Sequence, residues 1–66
     1  MNVGESIRKR REALGLLQMD VATAVGISQA MLCQIERGTK NPSLQVSIAL
    51  AKQLHCSVED FCRELV

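Results

Sequence analysis

Residues 18–38 read Gln18-Met-Asp-Val-Ala-Thr-Ala-Val-Gly26-Ile-Ser28-Gln-Ala-Met-Leu-Cys-Gln-Ile-Glu-Arg-Gly38, and this stretch decides the fold. Val21, Ala22 and Val25 recur at helical spacing, Gly26 offers the left-handed backbone position that closes a helix, and Ser28 offers an oxygen to cap the next one. From Gln29 the helical pattern resumes with Leu32 and Ile35 as its apolar side, and it stops at Gly38. Two short helices hinged at one glycine make a helix-turn-helix. Because so few residues of the second helix claim burial, Gln29, Ala30, Cys33, Gln34 and Arg37 are left for a partner. Glutamine amides suit the donor and acceptor edges that bases present in the major groove, so the pattern predicts DNA binding.

Outward from this unit, Asn2 and Glu5 have the spacing of a capping box that opens a first helix running to about Leu14 and stopping at Gly15. Val3, Ile7 and Leu14 share one face of it. Arg11 falls on that same apolar stripe, where an unpaired guanidinium costs several kcal/mol, so a carboxylate partner is expected. Glu36 beside Ile35 is the best placed, since the other acids sit on faces that read as solvated. The second helix starts near Gln18 with Leu17 at its N-cap, a residue with no oxygen for the orphan amides. Beyond Gly38, Thr39 to Pro42 form a polar loop and Ser43 caps a fourth helix, whose buried stripe reads Leu44, Ile48, Ala51 and Leu54. Leu50 and Val46 widen that stripe, and part of the width is expected to face a partner. His55 ends this helix where glycine would be easier. Ser57 and Asp60 make a further capping box for a fifth helix through about Leu65, with Val58, Phe61, Cys62 and Leu65 as its apolar side. The expected fold is all-α with five helices, without strands or repeats.

At 66 residues the chain suits one domain over 1–66 with a small core. Phe61 is the only aromatic residue, which argues against the stacking platforms used on single strands. A net charge of +1 says little by itself. Its distribution says more: residues 1–40 carry a net +2 (Arg8, Lys9, Arg10, Arg11, Arg37 and Lys40 against Glu5, Glu12, Asp20 and Glu36), and residues 41–66 carry −1. Cys33, Cys56 and Cys62 are odd in number and form no Cys-x-x-Cys pair, which disfavours a disulfide scaffold, and His55 with Cys56 and Cys62 lacks zinc spacing. No metal or cofactor is expected, and Cys56 and Cys62 read as small core hydrophobes. No apolar run approaches the roughly 20 residues of a membrane span, and no cleavable signal is visible, so a cytoplasmic protein is expected. One histidine and scattered cysteines assemble no nucleophile and base, so an enzyme is not expected.

Ile7-Arg8 with Arg11, Gly15-Leu16, Gln18, Val21-Ala22, Val25-Gly26-Ile27-Ser28, Leu32, Ile35-Glu36-Arg37-Gly38, Asn41-Pro42-Ser43-Leu44 and Ala51 are spaced as in a known family. The chain resembles, over nearly its whole length, the phage-repressor and Cro-like (XRE-type) helix-turn-helix regulators. The resemblance implies a compact lambda-repressor-like domain with the helix-turn-helix at helices 2 and 3. It implies an ion pair between Arg11 and Glu36, base reading at Gln29, Ala30, Cys33 and Gln34, and a phosphate contact at Gln18. Further phosphate contacts are expected at Arg37, Lys40 and Asn41, with Arg8 or Arg10 from the first helix. Two positions depart from the family: Leu17 replaces the usual Ser, Thr or Asn, and Cys33 stands where a polar side chain is common.

The expected function is a transcriptional regulator, a repressor, that inserts helix 3 in the major groove of double-stranded DNA as one half of a symmetric dimer. The dimer surface is expected on the fifth helix, at Phe61, Cys62, Leu65 and Val66, joined by Val46. The competing reading is an antitoxin-like module that binds another protein through this apolar surface and DNA for autoregulation. The lack of an extended polar tail disfavours it.

Overall fold

Helix ends fix the path of this chain. In the computed structural model, which describes residues 3–62 and side chains through Asp60, α1 spans Val3–Ala13, α2 Gln18–Val25, α3 Gln29–Arg37, α4 Leu44–Gln53 and α5 Val58–Cys62. After α1 the Gly15 amide donates to the Glu12 carbonyl and the Leu16 amide to that of Arg11. The same pair of bonds recurs from Gly26 and Ile27 to Thr23 and Ala22, from Gly38 and Thr39 to Ile35 and Gln34, and from His55 and Cys56 to Lys52 and Ala51. Each is a Schellman closure, which needs one residue at positive φ. Glycine supplies it three times, whereas His55 adopts φ 57 with a Cβ, a conformation that costs about 1–2 kcal/mol. Arg10 braces this fourth closure: its Nε donates to the Leu54 carbonyl at 3.0 Å and its Nη2 to the His55 carbonyl at 2.9 Å.

The helix starts are equally local. Ser28 Oγ accepts from the Met31 amide at 3.0 Å and Ser43 Oγ from the Val46 amide at 3.2 Å. Asp60 Oδ2 accepts from the Ser57 amide at 2.9 Å, as the capping box requires. Leu17 has the extended conformation of a cap (φ −79, ψ 144) but no capping bond. The capping box expected at Asn2 lies outside the described residues, as does the continuation of the fifth helix to Leu65.

Ile7, Val21, Ala22, Leu32, Ile35, Leu50, Ala51 and Leu54 form the buried core, with Val3, Leu16, Val25, Ile27, Met31, Val46, Cys56 and Val58 packed at its margin. α1 packs on α3 and α5, and α2 packs on α3 and α4. No strand occurs among the described residues. Two apolar assignments need correction. Leu14, placed on the buried face with Ile7, is 42% exposed. α1 ends at Ala13, so the helical spacing no longer applies at residue 14, and the turn at Gly15 sends Leu16 to the core instead. In α4, Leu44 is 72% and Ile48 42% exposed, and the buried stripe is Ser47, Leu50, Ala51 and Leu54. These four have i, i+3, i+4, i+7 spacing, but the small polar Ser47 hides the stripe from a reading based on hydropathy.

One close approach was not anticipated. Gly4 is buried in the first turn of α1, where a Cβ would overlap the carbonyl oxygen of Ile35. The absent side chain lets α1 rest directly on the last turn of α3, the helix that carries the glutamine face.

Candidate nucleic-acid interface

α3 is held from beneath by Leu32, Ile35 and Glu36, all buried. The residues between them point the other way: Gln29, Ala30, Gln34 and Arg37 are exposed, and Cys33 is half-buried. This division follows from helical geometry, since three anchors on one side leave the rest of a nine-residue helix outside the core.

Glu36 is the centre of the support. Arg11 Nε donates to Glu36 Oε2 at 2.8 Å and Arg11 Nη2 to Oε1 at 3.0 Å, a bidentate pair whose side chains are 12% and 3% exposed. Arg11 Nη1 donates to the Leu16 carbonyl at 2.9 Å, so the guanidinium ties α1, the α1–α2 turn and α3 together. The hydrogen bonds that Arg11 donates to Glu36 raise the pKa of the guanidinium above its ordinary value, burial opposes this, and the charges of Glu36 and Glu12 add to the rise. The sequence demanded this partner because Arg11 lies on an apolar stripe, and the pair forms.

The carboxylate has a third donor. Gln18 Nε2 reaches Glu36 Oε1 at 3.2 Å, and Gln29 Nε2 reaches Gln18 Oε1 at 3.5 Å. A chain of polar contacts therefore runs from the buried ion pair, through the first residue of α2, to the first residue of α3. Sequence reading picked out Gln18 and Gln29 separately but not the link between them. Glutamine is tolerated on any solvated face, so nothing in its spacing requires a particular partner.

At the other end of α3, the Gln34 carbonyl accepts from the Thr39 amide at 3.0 Å, the Lys40 amide at 3.3 Å and Thr39 Oγ1 at 3.1 Å. These bonds fold the loop over the helix end and leave Arg37, Lys40 and Asn41 exposed there. On α1, Arg8 is exposed and lies 4.0 Å from Glu12, a pair worth little in water. Arg10, the other first-helix residue expected at the DNA backbone, is exposed and donates to the Leu54 and His55 carbonyls of the α4–α5 turn, which lack helical donors. Of the residues expected at a dimer surface, Val46 packs against the core margin, whereas the side chains of Phe61 and Cys62 and all of Leu65 and Val66 lie outside the described residues. No group of three metal-binding side chains occurs among the described residues. None of their helices is long and apolar enough to cross a membrane.

A five-helix fold with a glycine hinge between the second and third helices, a serine cap on the third and a polar outer face on it defines an all-α helix-turn-helix domain. The chain belongs to the helix-turn-helix family, whose model matches residues 7–61, and within it to the phage-repressor, XRE type. It is 40% identical over 57 residues to the HTH-type transcriptional regulator DicA of Escherichia coli, covering 86% of this chain and 42% of that one. It is 38% identical over 55 residues to repressor protein C2 of Salmonella phage P22, covering 83% of this chain and 26% of that one. The crystal structure of the P22 c2 repressor in complex with a synthetic operator superposes with a TM-score of 0.88 at 34% identity, over 92% of each chain. The chain thus spans less than half the length of these two curated relatives.

Proposed function

We propose that this chain is the DNA-reading unit of a transcriptional repressor that lays α3 in the major groove of a specific duplex. The observation that carries the reading is the polar outer face of α3, with Gln29, Ala30 and Gln34 exposed on a helix clamped from below by Leu32, Ile35 and Glu36. Gln29 and Gln34 read base edges, Ala30 contacts a thymine methyl, and Cys33 lies beside them. Gln18 at the start of α2 meets a phosphate, where the free helix amides favour an anion. Arg37, Lys40 and Asn41 hold the backbone at the far end of α3, and Arg8 adds charge from α1. These contacts set register and not sequence.

A reading unit of this size buries too little DNA for tight specific binding, so two copies act as a symmetric pair on half-sites about one helical turn, roughly 34 Å, apart. Residues of the fifth helix form the contact, and Leu44 and Ile48 on α4 give it further apolar surface. The protein works in the cytoplasm, with the DNA it binds.

Selection from a pool of random duplexes tests this reading. Enrichment of a pseudo-palindrome with half-sites about one turn apart is expected. A pool that stays random after repeated rounds would overturn the proposal.

A further inference from the structure

We infer that Gly4 is a positioning residue for the DNA contact made by Lys40, acting through the Ile35 carbonyl and the turn that closes α3. The inference rests on Lys40 meeting a backbone phosphate, and it brings the start of α1 into that contact from behind.

The turn after α3 hangs on two carbonyls. The Ile35 oxygen accepts from the Gly38 amide at 3.1 Å, and the Gln34 oxygen accepts from the amides of Thr39 at 3.0 Å and Lys40 at 3.3 Å. Gly38 turns the chain at φ 83, and Lys40 stands exposed two residues further on. The Ile35 oxygen is also the atom that a Cβ on Gly4 would overlap. That Cβ would further come within 2.9 Å of the Ile35 carbonyl carbon and 3.1 Å of that of Glu36. All three are backbone atoms in the last turn of a helix, so no change of rotamer on α3 makes room. Either α1 lifts from α3, or the Ile35 carbonyl tilts away and loses its bond to Gly38. Gly4, Ile35, Gly38, Lys40 and Asn41 line one cleft, so both movements reach the loop that carries Lys40. Glycine is a poor helix former, and this route gives its place in a buried first turn a reason tied to binding.

Fluorescence anisotropy across a salt series, on a duplex selected by the wild-type chain, tests this with Gly4→Ala, Lys40→Ala and the double variant, each first shown to be folded by circular dichroism. Losing one phosphate contact flattens the slope of log K against log salt by about 0.9 per bound copy. Lys40→Ala is expected to show that change and Gly4→Ala a measurable share of it. The double variant should be no flatter than Lys40→Ala alone, because residues acting through one set of contacts are not additive. A role for Gly4 in packing alone would lower the urea midpoint and leave the slope of the folded variant at the wild-type value, which overturns the inference. Further flattening in the double variant overturns it too. A second measurement needs no variant: the Gly38 amide, bonded to buried Ile35 beneath α1, should exchange with solvent more slowly than the Gly26 amide, bonded to exposed Thr23, once neighbouring residues are corrected for. Equal exchange would overturn the hold of α1 on this turn, even where Gly4→Ala fails to fold. An unchanged slope in Lys40→Ala would remove Lys40 from the backbone, and the inference with it, while leaving α3 as the reading helix. A wild-type chain that selects no duplex would instead overturn the reading of α3 itself, and this assignment with it.

Discussion

At Glu36 one carboxylate serves three donors from two other side chains, which makes this residue the most sensitive single point in the chain. Removing one partner of a buried pair leaves the other charge unpaired, at about 3–5 kcal/mol, a large share of the 5–15 kcal/mol typical of a whole domain. Glu36→Ala should therefore be largely unfolded or strongly shifted in a urea titration. The double change Arg11→Met with Glu36→Leu should recover much of that loss, since replacing both charges removes the desolvation cost of each. A double variant as unstable as Glu36→Ala would refute this account. Gly4 gives a second residue-scale prediction. Alanine normally stabilises a helix over glycine by roughly 0.5–1 kcal/mol, but here its Cβ would overlap the Ile35 oxygen and lie 2.9 Å from the Ile35 carbonyl carbon. Overpacking of this kind costs about 1–3 kcal/mol, so Gly4→Ala should lower the urea midpoint. Cys56 has a pH signature. Burial raises its thiol above the ordinary value, the Arg10 charge opposes this, and Asp60 adds to the rise. The native state thus holds the proton more tightly than the unfolded chain, so this group leaves stability unchanged below the ordinary thiol range and diminishes it as pH rises through the alkaline range. Peptide-resolved alkylation at mildly alkaline pH should label Cys56 more slowly in the native protein than in urea.

At the scale of the helices, three N-caps share one backbone conformation and only two have an oxygen: Ser28 at φ −74 and ψ 156, Ser43 at φ −67 and ψ 166, and Leu17 at φ −79 and ψ 144. Leu17 is also 66% exposed, so replacing it sacrifices little burial. Leu17→Ser should raise stability by about 1 kcal/mol, and Ser28→Ala should lower it by a similar amount, both measurable by urea titration. Arg10→Met tests the α4–α5 turn. It removes charged donors from two carbonyls, at about 1.5–3 kcal/mol per such bond at most, discounted because Arg10 is exposed. A loss of about 1 kcal/mol with an unchanged salt dependence of DNA binding is expected, and a flatter salt dependence would return Arg10 to the phosphate backbone. These caps and closures were legible in the sequence because each joins residues no more than five apart. The rotation of α4 was not, since the face it buries is chosen by α2 and α5, and Ser47 qualifies by size where hydropathy points to Leu44 and Ile48. Gly4 escaped for a related reason: a glycine in a first turn has no local meaning until α3 is set against it. Along the polar chain, Arg11 announced its partner through the cost of an unpaired buried charge, whereas Gln18 and Gln29 are solvated at no cost and announced none.

For the whole molecule, a net charge of only +1 leaves little long-range attraction to DNA, so the salt dependence of binding should report individual phosphate contacts rather than a diffuse field. Each neutralised phosphate contributes about −0.9 to the slope of log K against log salt. Arg37 sits exposed at the end of α3, away from the buried ion pair, and its loss should weaken all duplexes alike. The size of the change also counts copies. If one chain occupies a site, Arg37→Ala flattens the slope by about 0.9, and if a symmetric pair occupies it, the same substitution acts twice, for about 1.8. The pair is expected, so fluorescence anisotropy across a salt series should show the larger change on the full pseudo-palindrome and the smaller one on an isolated half-site. Gln34→Ala serves as the control, relaxing preference at one or two base pairs while leaving the slope where it was. A change of about 0.9 on the full site would mean that one chain binds it, and the symmetric arrangement would fall. No change at all would remove Arg37 from the backbone contacts, and leave Lys40 and Asn41 to hold that end of the helix.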